Sequence, residues 1–456
     1  MAATALPPLG FGTATSSYQI EGATNVDGRG PSIWDTFCAR PGAVADGTDG
    51  RIACRSYERL DDDLALLDQL GVSAYRFSLA WPRIQPTGSG AVESRGLDYY
   101  QRLVDGLLAG GIRPFPTLYH WDLPQPLEDA GGWPVRDTAL RFADYAGVVA
   151  ERLADRVDIW ATINEPWCTA FLGYAAGVHA PGRREPDAAY AAAHHLLLGH
   201  ALGREAVRAV RADSSVGIVL NLAPLRPEDD ADPIALDVVD AVQNRLWLDA
   251  LADGSYPEAL TARTPALAPG GAVSDGDLDR IQGSLDWLGV NYYTPLRIGA
   301  AQNSPSAVGQ DASAYPYAPP LSFRPRPPYT DMGWEVDATG LTDLLLTTAA
   351  RLPGLPLRVT ENGAAFPDDT VGADGTVEDG DRVRYLREHL AAVGRAREAG
   401  APVLDYLAWS LLDNFEWAEG YRKTFGLVSI DPVTQDRRPK RSFHWYAGQA
   451  RAASNA

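Results

Sequence analysis

Two glutamates draw attention first, because each closes a short apolar run: Glu165 within 158–166 and Glu361 within 357–363. A carboxyl at such a place leaves water in part, and two like charges sharing a site push their pKa values apart. One ionised and one protonated carboxyl is the pair that can cleave a glycosidic bond. Polar or aromatic residues recur at the same kind of position: Gln19, Arg76, His120, Asn164, Asn291 with Tyr293, Asn362 and Trp409. Singly, each has a plain structural reading. A glutamate there is a solvated loop residue or a helix cap, an arginine half of a surface ion pair, a tryptophan part of the core. Their coincidence at the ends of successive runs is what points to chemistry.

The elements that must position them repeat along the whole chain. β-branched or aromatic runs at 10–16, 73–79, 113–119, 158–163, 216–222, 287–292, 357–360 and 404–409 alternate with amphipathic stretches, the pattern of βα units. Among the stretches, Asp61, Asp62 and Asp63 open a helix that Gly71 closes, and 97–111 and 381–400 also end in glycine. Eight such units predict an α/β fold, a single (β/α)8 TIM barrel over 1–456 with long βα loops. Catalytic groups then lie at the C-terminal ends of the strands, where the residues above fall. The proline-rich stretch 315–334 reads as a pocket wall or a surface excursion.

Composition narrows the class. The 456 residues carry 40 basic against 59 acidic side chains, a net charge of −19, which argues against a nucleic-acid or anionic-membrane partner. Only Lys423 and Lys440 are lysines, a skew read as coding bias. Three cysteines without CxxC spacing make no disulfide framework, and 1–17 lacks the basic and apolar regions of a signal peptide. No run is long and apolar enough to span a bilayer, so a cytoplasmic protein is expected. His194, His195 and His200 lack the i, i+4 pairing of a helical zinc site. There is no P-loop, dinucleotide fingerprint or G-x-S-x-G elbow, so neither metal nor cofactor is expected.

Several motifs together resemble glycoside hydrolase family 1, the β-glucosidase family. They are TINEPW (162–167), YHWDLP (119–124), VTENG (359–363), NYYT (291–294), WSLLDNFEW (409–417), SSYQIEG (16–22), AYRFSLAWPRI (74–84) and YRKTFGLV (421–428). The resemblance runs the length of the chain in the family's order. It implies that Glu165 is the general acid/base and Glu361 the nucleophile of a retaining exo-acting β-glycosidase, with carboxyls about 5–5.5 Å apart. Arg76 and Tyr293 then contact the nucleophile, and Asn164 the sugar 2-hydroxyl. Gln19, His120, Trp121, Trp409, Glu416 and Trp417 match the family's sugar-binding set. Trp334, Trp167, Asn221, His179 and Phe425 match the aglycone side. Two departures, Phe11 for the usual Trp and RSY (55–57) for the usual DHY, are expected to touch packing rather than the site.

The implied substrates are β-D-glucosides, with β-galactosides and β-fucosides beside them. A 6-phospho-β-glycosidase or a transglycosidase of the same family stands as the alternative, with a silent sugar-binding barrel from another class. A carboxylate at 416 would repel a 6-phosphate. The small-molecule glycoside is the only partner implied, and the oligomeric state is left open.

Overall fold

In a computed structural model, which describes residues 6–268, 270–302, 310–373 and 375–454, the eight runs are eight parallel strands. They are β1 (Gly10–Ala14), β2 (Ala74–Ser78), β3 (Arg113–Tyr119), β4 (Ile159–Asn164), β5 (Ser215–Asn221), β6 (Trp287–Asn291), β7 (Leu357–Asn362) and β8 (Val403–Trp409). Each pairs with its neighbours in chain order and β1 pairs with β8, closing the barrel. The observed ends lie within two residues of the expected ones. The largest differences are at β1, which stops two residues early, and at β7, which runs two residues further and so takes Glu361 inside the strand. Residues 1–5 of the stretch read for a leader lie outside the described residues.

At least one helix covers each crossover, the main ones being α1 (Leu60–Leu70), α2 (Ser94–Ala109), α3 (Arg136–Leu153), α4 (Pro186–Val210), α5 (Leu246–Asp253), α6 (Ala338–Arg351) and α7 (Gly380–Glu398), with α8 (Arg441–Ser454) after β8. Their sequences carry the reasons. In α1 three aspartates face the positive helix end, and Gly71 terminates it with φ +68°, a left-handed conformation that suits glycine. In α2, Leu97, Tyr100, Leu103, Val104 and Leu107 recur at three- and four-residue spacing and form the buried face. No helix among the described residues is long and apolar enough to cross a membrane.

Inside the barrel, Ala74, Phe115, Ile159, Ala161, Val219, Trp287 and Leu407 form a separate apolar cluster. Six strands contribute to it, which is how a closed barrel fills its interior rather than leaving a pore. The Arg358 guanidinium lies 5.6 Å over the Trp287 ring. Arg358 also pairs with Asp405, and Arg113 pairs with the same aspartate. The plug gives the polar groups at the other strand ends a dry floor.

Beyond those ends the loops build their own structure. Leu225–Pro227, Leu296–Ala300 and Leu321–Phe323 form a small three-stranded sheet, which anchors the proline-rich stretch. Two π-helical segments, Cys168–Ala176 and Ala241–Arg245, follow β4 and β5. His194, His195 and His200 are buried on α4, each held by ordinary partners. His194 bonds Tyr256 and Asp277, His195 the Trp133 carbonyl and His200 the Thr162 hydroxyl.

Candidate active site

Strict alternation along a strand would send neighbouring side chains to opposite faces. At the strand carrying Glu361 the alternation breaks. Val359 pairs with Val290, but Glu361 pairs with Asn291, so β7 has one residue more than β6 at this point. Thr360 and Glu361 can therefore both reach inward, and the Thr360 hydroxyl donates to Asn291 Oδ1 at 2.7 Å. A similar shift separates Ala161 from Asn164 on β4, just before Glu165. Bulges of this kind re-aim side chains beside active sites. Three residues here also hold positive φ without being glycine: Trp121 at +78°, Glu165 at +45° and Trp417 at +50°. Such conformations cost about 1–3 kcal/mol each and persist only where the surroundings impose them.

The two glutamates have unlike neighbours. Arg76, fully buried, donates from Nη1 to Glu361 Oε1 at 2.6 Å, from Nη2 to Asn164 Oδ1 at 2.7 Å and from Nε to Thr117 Oγ1 at 3.0 Å. The Tyr293 hydroxyl donates to Glu361 Oε2 at 2.7 Å. Both oxygens of Glu361 thus face donors, one of them a full cation. Glu165 instead accepts from Asn291 Nδ2 at 2.5 Å on Oε1 and from Cys168 Sγ at 3.0 Å on Oε2.

Burial pushes both carboxyls up. For Glu165 the Glu361 charge adds to burial and carries it to about 7. For Glu361 the direction is also upward, but Arg76, Tyr293 and Asn291 all pull against it. The guanidinium and the phenol favour the ionised form at Glu361, and neither bonds Glu165, so protonation is favoured at Glu165.

Above them opens a cavity of about 180 Å³. Most expected residues form its wall: Glu165, Glu361, His120, Trp121, Tyr293, Trp334, Trp409, Glu416, Trp417 and Phe425, with Trp167, His179 and Asn221 further along. Gln19, Arg76 and Asn164 are not part of the wall but stand behind it. Gln19 is wholly buried, accepts from Ser16 Oγ and donates from Nε2 to Asn414, the Phe415 carbonyl and, at 3.5 Å, Glu416. Asn164 donates to His120 Nε2 at 3.1 Å, which places the imidazole proton on Nδ1. Burial and the Arg76 charge hold His120 well below the ordinary histidine range, so it is neutral.

One expectation changes. Partial burial and the neighbouring carboxyls Glu361 and Glu165 push Glu416 up to about 8, which weakens the expected repulsion of a 6-phosphate. The wall also holds residues the sequence did not single out, Cys168, Leu172, Gln243 and Gln310, while the proline-rich stretch 315–334 supplies Tyr315, Met332 and Trp334 as a pocket wall. Asn291, by contrast, shows in the sequence, since it opens the NYYT motif. Gln243 and Tyr315 bond each other at 2.7 Å across 72 residues, and nothing in their local sequence signals it.

Comparison with known proteins agrees with this architecture. Residues 8–454 match the family model described as Glycosyl hydrolase family 1. The chain belongs to that family. It is 48% identical to a bifunctional β-D-glucosidase/β-D-fucosidase of Bifidobacterium breve, over 96% of both chains. It is 46% identical to a β-glucosidase of an Agrobacterium species, over 96% of this chain and 94% of that one. A solved β-glucosidase of Thermotoga maritima in complex with glucoimidazole superposes with a TM-score of 0.90 at 41% identity, covering 98% of this chain and 99% of that chain.

Proposed function

We propose that the protein is a retaining exo-acting β-glycosidase that hydrolyses β-D-glucosides, and β-D-fucosides and β-galactosides beside them. The observation that carries this reading is the unequal pair in one cavity: Glu361 against Arg76 and Tyr293, and Glu165 pushed up to about 7. Glu361, ionised, attacks the anomeric carbon while Glu165 gives its proton to the departing oxygen, leaving a covalent glycosyl-enzyme. Glu165, now ionised, takes a proton from water, and the resulting attack releases Glu361 and a sugar of retained configuration. Asn164 keeps an amide hydrogen beyond its bond to His120, which suits a contact to the sugar 2-hydroxyl.

The wall supports a neutral, hydroxyl-bearing ligand. His120 Nδ1, Trp167 Nε1, His179 Nδ1 and Gln310 Oε1 are buried there without a partner among the described residues, and such groups are costly to leave unpaired. No lysine or arginine among the described residues lines the cavity. The basic residues nearest in sequence to Glu416, Arg422 and Lys423, pair with Glu419 and Asp331. A cavity wall without a cation supports a preference for the neutral sugar over a 6-phosphosugar. Net charge and three free cysteines support a cytoplasmic protein with no nucleic-acid partner.

Removing each glutamate tests the roles. Glu361→Ala should be nearly inactive on every substrate. Glu165→Ala should still react fast with a dinitrophenyl β-glucoside, whose leaving group needs no proton, and accumulate the intermediate in a burst. Azide should then give the β-glycosyl azide with Glu165→Ala, and the product of opposite configuration with Glu361→Ala and an activated β-glycoside. The reverse stereochemistry would exchange the two roles.

A further inference from the structure

The acid/base role of Glu165, which the inference about Cys168 presupposes, makes it matter which carboxyl oxygen carries the proton. Asn291 is held in one orientation. Its Oδ1 accepts from Thr360, and its Nδ2 lies 2.5 Å from Glu165 Oε1 and 3.2 Å from Asn164 Oδ1. An amide NH₂ only donates, so Oε1 remains an acceptor throughout. The mobile proton belongs to Oε2. The atom facing Oε2 is the Cys168 sulfur at 3.0 Å, and that sulfur also lies 3.6 Å from Asn221 Nδ2.

A thiol can both donate and accept. When Glu165 is ionised, the S–H can point at Oε2. When Oε2 carries the proton and no substrate is bound, a sulfur lone pair can receive it while the S–H turns away. The peptide geometry keeps the two together, because the Cys168 N–H bonds the Glu165 carbonyl at 3.0 Å where the π-helical segment begins. Both residues are almost wholly buried and line the same cavity.

We propose that Cys168 is a positioning residue for the general acid/base, holding Oε2 of Glu165 in both of its protonation states. It takes no covalent part in the reaction. Burial and the Glu165 charge raise the thiol well above its ordinary range, so it stays protonated through the range in which Glu165 titrates. Any movement of the basic limb on substitution therefore reports Glu165 and not the sulfur.

The experiment compares Cys168→Ala, Cys168→Ser and the unsubstituted enzyme on phenyl and dinitrophenyl β-glucosides across pH. Alanine removes the donor to the ionised form, so the basic limb of kcat/KM should move to higher pH. Serine is the better donor, so its limb should lie at or below that of the cysteine enzyme. On the phenyl glucoside, Cys168→Ala should lose about 3–10-fold in kcat/KM, part of what a general acid contributes. On the dinitrophenyl glucoside kcat/KM should change less than about twofold, while kcat falls near neutral pH and recovers as pH is raised. Cys168→Ser should restore most of the loss. Equal losses on both substrates with an unmoved limb, or no change at all, would overturn the proposal. If Cys168→Ala does not fold, a serine enzyme whose limb lies above that of the cysteine enzyme overturns it as well. Failure of the functional reading looks different: Glu165→Ala itself would then show no dependence on the leaving group.

Discussion

Glu165 and Glu361 bear the same functional group, and only their neighbours make them different. The sequence placed both at strand ends and the motifs assigned their roles, but the physical basis of the assignment is a guanidinium at 2.6 Å from one and not from the other. The difference has a consequence in pH. Glu165 must be protonated to donate, and with its carboxyl at about 7 the protonated fraction falls as pH rises through that value. Glu361 must be ionised, and burial raises it too, so activity also falls on the acid side. A bell-shaped kcat/KM is expected on a phenyl glucoside, with its basic limb near 7. The basic limb should vanish in Glu165→Ala assayed on a dinitrophenyl glucoside. A limb that persists in that variant belongs to another group.

At the scale of elements, the strands were legible because parallel barrel strands are buried on both faces and read as continuous apolar runs. The register shifts in β4 and β7 were not. A bulge depends on what the neighbouring strand offers, and Thr360 shows nothing unusual until Asn291 stands across from it. The two lysines are a second case. Their rarity in the sequence reads as coding bias, yet Lys440 is wholly buried between Asp368 and Asp413, joining the loops after β7 and β8. Arg382 extends the cluster to Asp379, which accepts from the Ser442 backbone at 2.8 Å. Lys440→Met would leave Asp413 without its ion-pair partner and Asp368 with Arg382 alone, both carboxylates being largely buried. We expect a loss of about 3–5 kcal/mol in urea unfolding. KM should rise as well, because Asp413 and Glu416 share one loop. A variant that keeps both its stability and its KM would show that Arg382 alone suffices.

Across the whole molecule the first and last strands meet, and that closure joins residues about as far apart in sequence as the chain allows. Gly10 pairs with Asp405 and Ala14 with Trp409. The helix α8 covers the seam, and the Tyr446 hydroxyl donates to the Gly12 carbonyl at 2.8 Å and lies 3.2 Å from that of Tyr406, one on each strand. Phe11, at the position where the family usually has Trp, packs against the same Tyr446 ring at 5.7 Å. Tyr446→Phe should cost about 1–2 kcal/mol, read as a lower denaturation midpoint at unchanged slope, with kcat/KM kept. A lost slope or lost activity would mean that the seam controls more than stability. The eight units, the strand-end residues and the family were all legible in the bare chain, because hydrophobic periodicity and short motifs are local properties that survive without neighbours. That Arg76 favours the ionised form of Glu361, that Glu416 is pushed up, and that Asn291 and Cys168 face the two oxygens of Glu165 emerged with folding, because burial and charge at one atom are set by groups tens or hundreds of residues away.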